Sequence, residues 1–138
     1  MTSLRKQILR DFVDTVWSGG GIEAIDRFLA PRYTIHHDPG DPWDGQTLDV
    51  AGFKERVRQS RAPFPDQRFD LLEMLEDGDR IAVTWFWTGI HKGDIPDFPA
   101  SGRTVTMSGA TVYIFDGDRL AGHWQIADRL SVYRQLMA

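Results

Sequence analysis

The chain has 138 residues, 41% hydrophobic and 26% charged, the balance of one globular domain that can bury a core without covalent staples. It has no cysteine, which excludes disulfides, thiolate metal sites and cysteine nucleophiles, and its formal net charge of -4 argues against a nucleic-acid partner. No apolar run approaches the roughly 18 residues of a membrane span, and no apolar signal segment follows the N-terminal charges, so the expected compartment is the cytoplasm.

Leu4, Ile8, Leu9, Phe12, Val13, Val16 and Trp17 recur at helical spacing and predict an amphipathic first helix, ended by Gly19-Gly20-Gly21. Ile22, Ile25, Phe28 and Leu29 predict a shorter second helix closed before Pro31, followed by a strand over 32–37 and a turn at Asp38-Pro39-Gly40-Asp41-Pro42. Asp49 is a candidate cap for a third helix with Val50, Phe53 and Val57 inward and Lys54, Arg56 and Arg58 outward, stopped by Pro63 and Pro65. The second half reads as strands. The imperfect alternation of 67–75 predicts a bulge, and Asp77-Gly78-Asp79 a hairpin turn. In the next strand, 81–91, Val83, Trp85 and Trp87 share one face and Ala82, Phe86 and Ile90 the other, so neither face is expected to be freely solvated. A Gly/Pro-rich loop over 92–102 is a candidate lid; a long strand over 103–115, a turn at Asp116-Gly117-Asp118, a last strand over 120–128 and a helical tail complete the chain. Helices first and hairpin-linked strands later predict an α+β fold in which a curved sheet and the helices enclose a pocket. Aromatic residues make up 12% of the chain and include five tryptophans, a content that suits an aromatic-lined cavity.

The chain resembles the SnoaL-like polyketide cyclases of the nuclear-transport-factor-2-like superfamily. The resemblance rests on His37-Asp38-Pro39, Phe64-Pro65-Asp66, Gly78-Asp79-Arg80-Ile81-Ala82-Val83 leading to Trp85, Thr88-Gly89-Ile90-His91-Lys92-Gly93 and Pro99-Ala100-Ser101-Gly102-Arg103. It continues through Ile114-Phe115-Asp116-Gly117-Asp118-Arg119-Leu120 and Gly122-His123-Trp124-Gln125-Ile126-Ala127-Asp128-Arg129-Leu130, in an order that spans about residues 4–137. It implies a single domain over 1–138 with a cone-shaped fold: a curved, mixed but mostly antiparallel sheet packed on N-terminal helices around an apolar pocket. It also implies homodimers or larger homo-oligomers and a context in bacterial secondary metabolism.

The resemblance makes Asp128 the expected general acid/base, since in these cyclases an aspartate at this motif position has that role. On a regular strand Asp128 shares a face with Ile126 and Trp124, and an aromatic setting would raise its pKa toward that of a useful base. The competing reading is that it caps the tail helix or pairs with Arg129 or Arg134. The implied chemistry is intramolecular aldol ring closure of a polyketide ester, in which a base makes an enolate that attacks a carbonyl of the same molecule. Positioning does most of the work, and no metal or organic cofactor is needed. His37 is the expected second catalytic group, because only one of His36 and His37 points inward on a strand. His91 could touch substrate at the loop, whereas His123 alternates away from Trp124 and is expected off the pocket face. Phe12, Trp85, Trp87, Met107 and Trp124 are expected walls for a hydrophobic, polycyclic small molecule.

Three alternatives compete. A ketosteroid-isomerase-like proton shuttle finds an echo in Asp38-Pro39-x-Asp41, but the first helix offers Phe12 and Trp17 where that site has a tyrosine. An epoxide-hydrolase-like site needs an arginine between two aspartates inside the cone, and the strand 82–87 carries none. A non-catalytic small-molecule-binding or oligomerisation module would use the same aromatics.

Overall fold

In the computed structural model, which describes residues 3–138, Ser3 accepts the backbone N–H of Lys6 at 3.1 Å and starts α1, Leu4–Phe12. The helix then widens into a π-helical turn over Val13–Ser18, where Gly19 N–H reaches back five residues to Asp14 O at 2.9 Å. At the end of this turn the carbonyls of Trp17 and Ser18 have no intrahelical partner and accept from Arg61, and Trp17 O also accepts from Gln67 Nε2 at 3.1 Å. The apolar face is the expected one from Ile8 onward, but Leu4, in the first turn, is exposed. The second helix is a single 3-10 segment, Ile22–Arg27, and Leu29 already belongs to β1, Leu29–His37. Pro31, with no N–H to donate, falls where the β1 register breaks between Leu29 and Thr34.

Asp49 caps α2, Val50–Arg61, by accepting Gly52 N–H at 2.7 Å, after the two-residue strand β2, Thr47–Leu48. The remaining strands are β3, Arg68–Asp77; β4, Arg80–Ile90; β5, Thr104–Asp116; and β6, Arg119–Ala127. They form one six-stranded sheet in the order β2-β1-β6-β5-β4-β3, antiparallel except where β1 runs parallel to β6. The predicted bulge lies between Leu71 and Glu73. Asp128 caps α3, Arg129–Met137, which Gln135 ties to β5 through Thr106 N–H and Thr106 O at 2.8 and 2.7 Å.

Alternation divides the sheet into two faces. On the inner face Ile81, Val83, Trp85 and Trp87 of β4 are buried, as are Val105, Thr111, Tyr113 and Phe115 of β5. Leu9, Phe12 and Val16 from the first helix and Phe53 and Val57 from α2 complete the core. Phe12, expected as a pocket wall, is wholly buried among Phe28, Phe53 and Tyr113 at ring separations of 5.6–6.4 Å, so it is core. The expectation that both faces of β4 are shielded also fails. Within this chain Phe86 is 37% exposed, and Leu72, Leu75 and Ile126 stand open on the same sheet. The 92–102 loop is pinned at its base by His91 N–H to Arg103 O and Gly102 N–H to His91 O, both 2.8 Å, and its tip is closed by the Ile95–Phe98 bridge.

Candidate active site

The inner face, α2, α3 and the loop tip surround a cavity of about 470 Å3. Its wall is largely aromatic: Trp17, Trp43, Trp85 and Trp87, four of the five tryptophans, line it with Phe64, Phe69 and Met107. Trp85 lies flat across β5 because position 109 is glycine. A Cβ there would stand 2.2 Å from the Trp85 ring. The indole N–H is satisfied by Thr111 Oγ1 at 2.9 Å, and that of Trp87 by Gln67 Oε1 at 3.2 Å. Ile95 and Pro96 of the loop also line the cavity.

The same wall carries a polar cluster. Asp38, just beyond β1, has no exposed surface, yet every partner of its carboxylate is a hydrogen-bond donor. His123 Nε2 is 2.8 Å from Oδ2, Arg129 Nη2 3.0 Å from Oδ1, Gln125 Nε2 3.2 Å from Oδ2 and Arg56 Nη2 3.4 Å from Oδ2. Arg56 Nη2 also bonds Asp41 Oδ2 at 2.9 Å, so it lies between two aspartates. Behind His123, the Tyr33 hydroxyl lies 2.6 Å from Nδ1. A second line runs from Trp85 through Thr111 Oγ1, which donates to Gln125 Oε1 at 2.7 Å, to Asp38.

Burial alone would raise the Asp38 pKa, but the His123 hydrogen bond and the Arg129 and Arg56 charges hold it below the usual carboxylate value. For His123, burial and the nearby Arg56 charge outweigh Asp38 and hold the pKa below the ordinary imidazole value. Burial raises the Tyr33 phenol well above its normal range. At neutral pH these directions give an ionised Asp38, a neutral His123 and a protonated Tyr33. Asp38 can only accept, so His123 carries its proton on Nε2, and Nδ1 accepts the Tyr33 O–H. Tyr33, Arg56, His123, Gln125 and Arg129 all line the cavity.

Several expected site residues lie elsewhere. Asp128 is exposed and accepts Ser131 N–H at 3.2 Å, the geometry of a helix cap rather than of a desolvated carboxylate on an aromatic face. Trp124 does share its face, but that is the outer face, where the indole stacks on His36 at 4.1 Å and carries Arg80 4.8 Å above it. Its partners let a tryptophan sit outside the core, and the phase of β6 is therefore one residue from expectation, with His123 and Gln125 inward. His37 is also exposed, beside an outer groove with Trp124 and Ile126. Against β6, Ile35 pairs with His123 and His37 with Trp124, so two residues of β1 are spent on one of β6. This bulge turns His37 out and brings Asp38 in. His91 is buried outside the cavity, with Nδ1 held by Ser101 Oγ at 2.9 Å. Trp85, Trp87 and Met107 are cavity walls as expected. Arg56, expected outward on α2, is buried. Its signal in the sequence was the pair Asp38 and Asp41 in a turn, too little to place it.

No curated protein matches the chain. Among solved structures it is 59% identical to a candidate polyketide cyclase from Acidithiobacillus ferrooxidans, over 99% of this chain and 96% of that one, with a TM-score of 0.96. The fold is shared with IdmH, a candidate polyketide cyclase from Streptomyces antibioticus, at 22% identity over 97% and 99% of the two chains and a TM-score of 0.81. TerC, co-crystallized with polyporic acid, matches at 19% identity over 99% and 100% with a TM-score of 0.76. The profile described as SnoaL-like polyketide cyclase covers residues 7–136, and the chain belongs to that family.

Proposed function

We propose that the protein is an acid/base enzyme that needs no cofactor and closes a ring in a polyketide ester by intramolecular aldol condensation. The observation that carries this reading is the Tyr33–His123–Asp38 line, whose Tyr33 and His123 line a cavity together with aromatic rings. The acid/base role expected of Asp128 moves to this line, and Asp128 keeps the capping role. Tyr33 Oη takes the proton of an activated C–H while its own proton passes to His123 Nδ1. A free phenolate, which burial disfavours, is never formed. The ionised Asp38 stabilises the imidazolium. The C–H electron pair becomes the enolate and forms the new C–C bond to a carbonyl carbon, and the proton returns through Tyr33 to the alkoxide. The aromatic wall holds the chain folded so that the two carbons meet. We also propose a homodimer or larger assembly that covers the apolar outer face around Phe86 and Ile126, a cytoplasmic setting, and a role in secondary metabolism.

The Asp38–Arg56–Asp41 bridge favours a second reading, in which a water activated by a carboxylate opens an epoxide. One assay separates these. Exchange of deuterium from solvent into the activated methylene of an aromatic β-keto ester, followed by NMR, reports enolate formation without ring closure. The wild type is expected to accelerate exchange, Tyr33→Phe to lose about 100-fold or more of that acceleration, and Asp128→Asn to keep it. Loss in Asp128→Asn with retention in Tyr33→Phe would return the role to Asp128. No acceleration at all, with the ester bound, would leave a binding module, and hydrolysis of an aryl epoxide in its place would favour the second reading.

A further inference from the structure

The guanidinium of Arg56 is only partly used. Its side chain is 5% exposed. Nη2 serves both Asp38 and Asp41, but Nε is buried without a partner, and Nη1 has no hydrogen-bond partner among the described residues. A buried donor left unmade is costly, and a guanidinium presents five N–H groups in a rigid fork. Arg56 is held in place from three sides. The two aspartates hold Nη2, and the rings of Trp17 and Phe53 lie 5.2 and 5.6 Å from Cζ. It also lines the cavity, next to Tyr33 and His123. A rigid, under-satisfied cation beside a proton relay is the arrangement that receives a negatively charged oxygen.

We propose that Arg56 is the oxyanion-binding residue of this cavity, and that the ligand is a flat aromatic molecule carrying an acidic enol or enolate oxygen, which the unpartnered N–H groups of the guanidinium hold. This rests on the acid/base reading and extends it: the oxygen is the one that becomes charged when Tyr33 takes the C–H proton. Asp38 and Asp41 balance Arg56 and Arg129 in charge, so the preference for the anion arises from the directed N–H groups more than from net charge. Asp41, whose Oδ2 lies 2.9 Å from Nη2 and whose Oδ1 accepts Trp43 N–H at 2.8 Å, keeps a negative charge beside the site, which favours a single enolate oxygen over a dicarboxylate.

The test needs no turnover. Calorimetric titration compares lawsone, a hydroxynaphthoquinone that is anionic at neutral pH, with its methyl ether, which has the same rings and no charge. The wild type is expected to bind lawsone at least about tenfold more tightly than the ether, the scale of a charge-assisted hydrogen bond. In Arg56→Gln the two affinities should converge through loss of lawsone binding alone, and Arg129→Gln should keep most of the difference. Should Arg56→Gln fail to fold, Arg56→Gln with Asp41→Asn removes one charge of each sign and carries the same expectation. Equal affinities in the wild type, or a preference that survives loss of Arg56, would overturn the assignment. Tyr33→Phe separates this from the relay, because it should lose most of the accelerated deuterium exchange and leave the lawsone preference intact. A wild type with the preference and no exchange would keep the anion site and refute the relay.

Discussion

Replacing Asp38 by asparagine removes one negative charge from a site with no exposed surface and changes little else in shape. The carboxylate accepts from His123, Arg129, Gln125 and Arg56, and an amide can accept on one oxygen only, turning N–H groups toward donors at the other position. Breaking a buried ion pair from one side usually costs about 3–5 kcal/mol. Here Arg56 keeps Asp41, and Arg129 keeps its bond to Pro39 O, so the loss should lie near the lower end, about 3 kcal/mol. With a urea dependence of about 1.5 kcal/mol per molar, the unfolding midpoint falls by roughly 2 M. Asp128→Asn is the control: asparagine caps a helix as well as aspartate does, so its midpoint should not move measurably. The assay is urea unfolding at neutral pH, read by tryptophan fluorescence and circular dichroism together so that two-state behaviour is checked. An Asp38→Asn protein as stable as wild type would refute the claim that this carboxylate is held by paired donors. A large loss in Asp128→Asn would show that the exposed cap geometry misstates that residue's role.

Gly109→Ala should lower stability by roughly 2 kcal/mol, since the new methyl meets the Trp85 ring and tilts it off Thr111; thermal melts check this, and adding Trp85→Phe should recover part of the loss. Stability should fall on acidification in two stages. Because the folded pKa of His123 is lowered, the unfolded chain binds more protons, and stability is lost as pH falls below about 6.5 toward the folded value. The Asp38 contribution, also from a lowered pKa, is present above about 3.9 and goes as pH falls through its folded value. His123→Gln should flatten the first stage in melts taken from neutral to mildly acid pH, and an unchanged slope would count against the buried neutral imidazole. Light scattering should find a dimer or larger, and Phe86→Lys with Ile126→Lys, both on exposed positions, should dissociate it without unfolding the protomer.

Local patterns carried most of the architecture. Glycine punctuation at 78 and 117 set the hairpins, Asp49 marked a helix start, and the failed alternation near Leu72 marked a bulge, because each is decided within a few residues by turn and cap chemistry. The aromatic content pointed to a cavity, and Trp85, Trp87 and Met107 are on its wall. What the sequence did not reveal was which face of β1 and β6 looks inward. Trp124 read as a pocket wall, and only the stacked His36 and the overlying Arg80 make the outer face suit it.

The polar cluster at the cavity is a product of tertiary structure alone. Asp38 and His123 are 85 positions apart, Tyr33 and His123 90, and no local rule couples them. Parallel pairing of β1 with β6 brings them side by side, a one-residue bulge at His36 and His37 decides that Asp38 turns in, and the packing of α2 buries Arg56 between two aspartates. By itself the sequence determined an α+β chain with an aromatic pocket, since periodicity and turn residues act over short range. The charged groups that face this pocket were decided by strand register and helix docking, because a shift of one residue reverses every side chain of a strand.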